Sequence, residues 1–216
     1  MLSKEYFQTQ GENVTIGICD TGLKTTLSCF RNCEIQYKTF GMTGERHGTH
    51  IASTILQFAP KARIVFAGGI MDSYAKLESM LEWVSQFKID VLNLSLAFPE
   101  KDAKISLLLK ELASRKTLIV CAQSNTYPFP WREEYTISAG PNGEFAAPAE
   151  WTAYSSSGYK TIMRGTSVST ALTTALCALC KARNPDLTKE AFLTMTSPED
   201  IKPLPQTFQR QKNLKL

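Results

Sequence analysis

Val14-Thr15-Ile16-Gly17-Ile18-Cys19 is short, β-branched and apolar, and it runs straight into Asp20-Thr21-Gly22. That is a buried strand ending in a turn. The same grammar recurs outward from it. Ala62 to Ala67 reads as a strand stopped by Gly68-Gly69, Val91 to Leu96 as a strand apolar enough to be covered on both faces, and Thr117 to Ala122 as another. Helical stripes lie between them. Ile51, Ile55 and Phe58 recur at helical spacing, as do Leu77, Met80, Leu81 and Val84, and Ile105 through Leu112 reads the same way. A long small-residue helix is expected from about Thr166 to Ala182. A last helix is capped by Thr188, with Leu187 and Phe192 placed as a hydrophobic staple. Strands alternating with helices, and strands without polar alternation, predict an α/β fold: a mainly parallel β-sheet with helices on both faces. In such sheets the chemistry sits at the carboxyl ends of the strands, where Asp20 and Asn125 fall.

Composition narrows the function. The 216 residues are 43% hydrophobic and 20% charged, with a net charge of +4, which suits one globular domain and is too mild to indicate nucleic acid. No apolar run reaches the ~18 residues of a membrane span, and residues 1–8 lack the apolar core of a signal peptide, so a cytoplasmic location is expected with no membrane partner. Six cysteines are even in number, but Cys19, Cys121, Cys177 and Cys180 lie in apolar stretches, and reduced thiols are expected. The domain is expected over residues 1–203. Residues 204–216 form a polar, basic tail expected to be mobile, which an acidic partner would suit.

Three motifs carry chemistry: Asp20-Thr21-Gly22, His47-Gly48-Thr49-His50, and Gly165-Thr166-Ser167 at a helix start. Nucleophilic catalysis by serine needs a hydroxyl, a base within reach and a carboxylate that fixes the base's tautomer. Other readings exist for each fragment. Asp-Thr-Gly also marks aspartic proteases, but those need a mostly β fold. His47 and His50 with Cys29 and Cys33, or with Cys177 and Cys180, have zinc-like spacing, although burial in a helix accounts for the latter pair. Gly68-Gly69 lacks the Lys-Ser/Thr of a phosphate loop. No metal and no cofactor is expected.

Together, in the order Asp, His, Ser, the motifs resemble those of the subtilisin-like serine proteases from about Val14 to Met195. The resemblance implies that Asp20 orients, His47 acts as base, Ser167 attacks and Asn125 helps to form the oxyanion hole. It implies that a peptide or protein substrate binds as an extended strand between Phe66–Ile70, including Gly68 and Gly69, and Ser95, Leu96 and Ala97. His50 is expected to be a packed partner of the site, and Phe145-Ala146-Ala147-Pro148 the turn upstream of the nucleophile. Departures are Ala97 and Ser124, where glycines are usual, and Ala171, where proline is usual. The chain also has no calcium loop between His50 and Pro60 and only 19 residues before Asp20. These features imply a compact processing or maturation endopeptidase. Two alternatives are an inactive binding module and a cyclase or ligase using the same residues.

Overall fold

A computed structural model of the chain describes residues 2–96, 100–124 and 133–201. Among them the predicted alternation appears in full. Strand β1 (Thr15–Asp20) is followed by β2 (Ile35–Thr39), helix α1 (Glu45–Leu56), β3 (Arg63–Gly68), α2 (Tyr74–Val84), β4 (Val91–Leu94), α3 (Ala103–Ser114), β5 (Leu118–Ala122), β6 (Thr136–Gly140) and β7 (Phe145–Ala146). These strands form one parallel sheet in the order β2-β3-β1-β4-β5-β6-β7. Then come the antiparallel pair β8 (Glu150–Tyr154) and β9 (Lys160–Arg164), the long α4 (Thr166–Arg183) and the short α5 (Lys189–Met195).

Alternation along the strands divides the core in two. Ile16, Ile18, Phe66, Val91, Val120 and Ile137 join the cluster shared with α1 and α4. Cys19, Val65, Leu92, Ile119 and Cys121 face the other way, towards the apolar stripes of α2 and α3. Gly17 makes the second contact close. A methyl there would lie 2.9 Å from a Val84 methyl and 3.2 Å from Leu92, so α2 rests almost on the β1 backbone.

Helix α4 runs through the middle of the first cluster, and every residue from Val168 to Lys181 is buried. Small side chains let it pass. The Thr170 and Thr173 hydroxyls donate to the carbonyls of Thr166 and Ser169 one turn back, at 2.9 and 2.8 Å, so their burial strands no polar group. Asp102 and Thr188 cap α3 and α5 with side-chain oxygens. Cys19, Cys121, Cys177 and Cys180 are buried, and all six cysteines are free thiols. Among the described residues no helix is long and apolar enough to cross a membrane. The tail at 204–216 lies outside the described residues.

Candidate active site

The site forms where β1 ends. Asp20 is the last residue of that strand and is buried, with its neighbour β3 on one side and β4 on the other. Thr21 then turns the chain and latches it to the start of α1. Its hydroxyl donates to the Gly44 carbonyl at 2.5 Å, and its own carbonyl receives the Gly44 N–H at 2.9 Å. Helix α1 starts earlier than the apolar stripe suggests, at Glu45, so His47 lies in its first turn. From there His47 Nδ1–H donates to Asp20 Oδ1 at 2.7 Å. That tautomer leaves Nε2 with a lone pair. The Thr21 N–H donates to the same carboxylate oxygen at 2.6 Å, while Asp20 Oδ2 is buried and has no partner among the described residues.

The imidazole is about a third exposed (34%). Burial alone would depress the His47 pKa, but the hydrogen bond and the negative charge of Asp20 outweigh it and hold it above the usual 6.5. His50, one turn on, is the opposite case. It is buried, its Nε2–H donates to the Thr161 carbonyl at 3.1 Å, and burial keeps it neutral by lowering its pKa. It ties α1 to β9, the structural role expected of it.

Ser167 enters from the other end of the chain. Gly165, at φ +132°, sets the turn into α4, and Ser167 occupies that helix's first turn. Its Oγ donates to the Ser95 carbonyl at 3.2 Å, and Ser95 Oγ donates back to the Ser167 carbonyl at 3.2 Å. Behind this clasp, Asn93 is fully buried. It donates to Ser95 Oγ and accepts from Thr174 Oγ1, both at 3.0 Å, which supplies the partners that an amide in a buried strand requires. The end of β4 and the first half of α4 are therefore locked together by bonds that each use at least one side chain. In this resting arrangement Ser167 Oγ bonds Ser95 and not His47, yet both line one cavity of about 740 Å³ between α1 and β9.

The Phe66–Ile70 segment is not the open edge that the sequence suggests. Strand β3 is interior, with Gly68 in register with Asp20 on one side and Thr39 on the other. Gly69 N–H donates to Asp20 O at 2.9 Å and Ile70 N–H to Met42 O at 2.7 Å, while the Ile70 carbonyl accepts from Lys76 Nζ at 2.8 Å. Those backbone groups are committed within the protein and are not open to a substrate strand. Ser95 and Leu96 sit beyond the end of β4, on the Ser167 side of the site. Asn125, Ala97 and Trp131 lie outside the described residues.

The β8–β9 hairpin was not legible as a wall of the site. Thr161, Ile162, Met163 and Arg164 line the cavity opposite Thr21, Arg46 and Ile70. The signal was Ser155-Ser156-Ser157-Gly158, a turn between Trp151–Tyr154 and Lys160–Met163. The Phe145–Pro148 turn does reach the nucleophile helix, because Ser169 Oγ donates to the carbonyls of Ala147 and Pro148, both at 3.0 Å. Among the described residues no group of three His, Cys, Asp or Glu side chains gathers to hold a metal ion.

The Asp20–His47 pair beside a serine at a helix start, on a parallel sheet of this order, is one strand of evidence, and comparison with known proteins supplies the other. The subtilase family profile matches residues 11–156, about two thirds of the chain, so the chain belongs to the subtilase family. Ser167 lies beyond the end of that match. Subtilisin DY of Bacillus licheniformis is 26% identical over 157 residues, covering 61% of this chain and 57% of that protein. The chain thus spans little more than half the length of that relative. A cold-adapted subtilisin-like serine proteinase superposes with a TM-score of 0.70 at 18% identity, covering 87% of this chain and 82% of that one. The prenylagaramide maturation protease PagA gives 0.62 at 16% identity, with 81% and 78% covered. These two show a shared fold.

Proposed function

We propose that the chain is a serine endopeptidase in which Asp20 orients His47, His47 acts as general base and acid, and Ser167 is the nucleophile. The observation that carries this reading is the 2.7 Å bond from His47 Nδ1 to buried Asp20, beside the serine that opens α4 and shares its cavity. A substrate would add as an extended strand along Ser95–Ala97, taking the Ser95 carbonyl that Ser167 Oγ occupies at rest. A rotation about χ1 of Ser167 then turns Oγ towards His47 Nε2.

The Oγ–carbon bond forms as the hydroxyl proton passes to Nε2. The oxyanion is held by the Ser167 N–H, at the positive end of α4, and by the amide of Asn125. The carbon–nitrogen bond breaks as His47 returns the proton to the leaving amine. Water then attacks the acyl group and gives one proton to His47, which restores Ser167 as the acid departs.

The same cleft supports a processing role. Apolar walls on both sides of the His47–Ser167 cavity favour some sequences over others, which suits a few defined cuts better than bulk digestion. A maturation protease is built on the same fold. Intact mass spectrometry after a fluorophosphonate probe tests the chemistry. One adduct is expected, absent from Ser167→Ala and His47→Ala. No adduct on folded protein sinks the hydrolase reading and favours a binding module. Product masses that lack the added water point to cyclisation or ligation. Unselective digestion of casein removes the processing role.

A further inference from the structure

The cavity beside His47 and Ser167 has features that hydrolysis does not require. Two of its apolar side chains, Ile70 and Ile162, are exposed to 40% and 57%, one in the segment after β3 and the other in β9. Met163 lies beside Ile162 and lines the same space. At about 740 Å³ the cavity is the size of a built ligand site.

Its charges are uneven. Glu45 is paired with Lys24 at 3.4 Å, and Arg164 is paired with Glu150 across the hairpin. Arg46, next to His47 in the first turn of α1, is exposed on the rim and has no ion pair among the described residues. The site therefore offers apolar walls and one uncommitted cation.

Its position fixes which part of a substrate meets it. On the proposed mechanism the acyl half lies along Ser95–Ala97, on the side of Ser167 tied to β4. The leaving nitrogen must lie at His47 Nε2 to collect its proton. The chain beyond the scissile bond then continues over His47 into the space between α1 and β9. Successive residues of that extended chain advance about 3.3 Å each, so the first or second of them reaches Ile70 and Ile162, with Arg46 alongside.

We infer that this cavity selects the leaving half of the substrate, and that it takes a bulky apolar residue followed by an acidic one. The inference rests on the proposed catalytic reading only for the direction of the chain. Apolar contact supplies most of the selection, because covering part of a Phe side chain against these open walls is worth about tenfold. The Arg46 charge faces water and adds about two- to fivefold.

The test measures binding, so it does not need turnover. Fluorescein-labelled eight-residue peptides carry four alanines in the acyl half and end in Phe-Glu-Ala-Ala-amide, Phe-Lys-Ala-Ala-amide or Ala-Glu-Ala-Ala-amide. Their affinities for Ser167→Ala are read by fluorescence anisotropy. Phe-Glu is expected to bind about tenfold tighter than Ala-Glu and about two- to fivefold tighter than Phe-Lys. Adding Arg46→Glu is expected to reverse the Glu/Lys order, and adding Ile162→Ala to shrink the Phe/Ala ratio. Equal affinities for the three peptides, or a Glu/Lys order untouched by Arg46→Glu, overturn the inference. Flat affinities alongside a fluorophosphonate adduct on the wild-type chain remove this inference alone. A clear preference with no adduct removes the hydrolase and with it the assignment to a leaving half, which overturns the inference as stated.

Discussion

Replacing Gly48 by alanine sets two effects of opposite sign against each other. Gly48 is an interior residue of α1, where alanine is the better helix former by about 0.5–1 kcal/mol. On propensity alone Gly48→Ala stabilises. However, α1 lies directly on the turn after β1. The new methyl would meet Phe66 Cζ at 2.6 Å and Asp20 Oδ1 at 3.1 Å, with the Gly22 carbonyl oxygen closer still. Neither oxygen can swing aside, since one belongs to the backbone and the other is held by His47 and Thr21. Phe66 is fully buried with its ring edge-on to Tyr37 at 5.6 Å between centroids.

Overpacking of this kind costs about 1–3 kcal/mol, so the net expectation is a loss of about 1–2 kcal/mol. Relief requires α1 to move by a large fraction of an ångström, and His47 moves with it. A displacement near 1 Å at a reacting group costs about 10²-fold, so fluorophosphonate labelling of Ser167 should slow by more than tenfold even where the variant is fully folded. Urea denaturation and labelling rates measure the two quantities separately. A raised urea midpoint with an unchanged labelling rate would show that the close approach of α1 to the β1 turn is wrong.

Because Asp20 holds the His47 pKa above 6.5 and the base must be neutral, labelling and turnover should fall through a midpoint above that value as pH decreases, and Asp20→Asn should move the midpoint down. The same shift adds stability that is full below the unfolded value and is lost as pH rises through the folded one, which a pH series of melting curves reads. A midpoint at or below 6.5 would exclude the Asp20–His47 coupling. Asn93→Ala strands the Thr174 hydroxyl in the core and removes the bond into Ser95 Oγ, which should cost about 1–3 kcal/mol in urea denaturation, whereas an unchanged midpoint would argue against that buried network. Burial pushes the Cys29 thiol up to about 11 and Cys180 to about 12, yet only Cys29 and Cys33 are partly exposed. Slow alkylation of the native protein should therefore stop at two adducts by mass, and four or more without unfolding would contradict the packing of α4 and β5.

The parts of the fold visible in the sequence were those where one periodicity dominates. β1, β3, β4 and β5 are covered on both faces and read as unbroken apolar runs, and the stripes of α2 and α3 are equally plain. β2 and the β8–β9 hairpin were hidden because they are largely exposed and short, so the polar–apolar alternation of Ile35-Gln36-Tyr37-Lys38 and Glu150-Trp151-Thr152-Ala153 runs over too few residues to stand out, and Lys160–Arg164 lacks it. β6 was hidden for another reason. Thr136-Ile137-Ser138-Ala139-Gly140 is wholly buried but built of small residues, with little hydrophobic signal. The Asp20–His47 contact and the cavity His47 shares with Ser167 were legible because both residues sit in short motifs whose glycines mark backbone turns and close packing. What could not be read was the backbone pairing that makes β3 interior. Strand order is a tertiary fact, and nothing local in Phe66–Ile70 announces neighbours on both sides.

The site draws on both ends of the chain: Asp20 from the first strand, His47 from the first helix and Ser167 from a helix that begins at residue 166. Every strand of the main sheet is parallel, so each pairing must wait for a crossover, and α4 can be buried only against strands made long before it. On the proposed reading, a nascent chain therefore carries Asp20 and His47 through most of the synthesis of this segment before the nucleophile Ser167 is made. If that reading holds, synthesis order alone keeps the segment harmless to the machinery that makes it until α4 has emerged and packed.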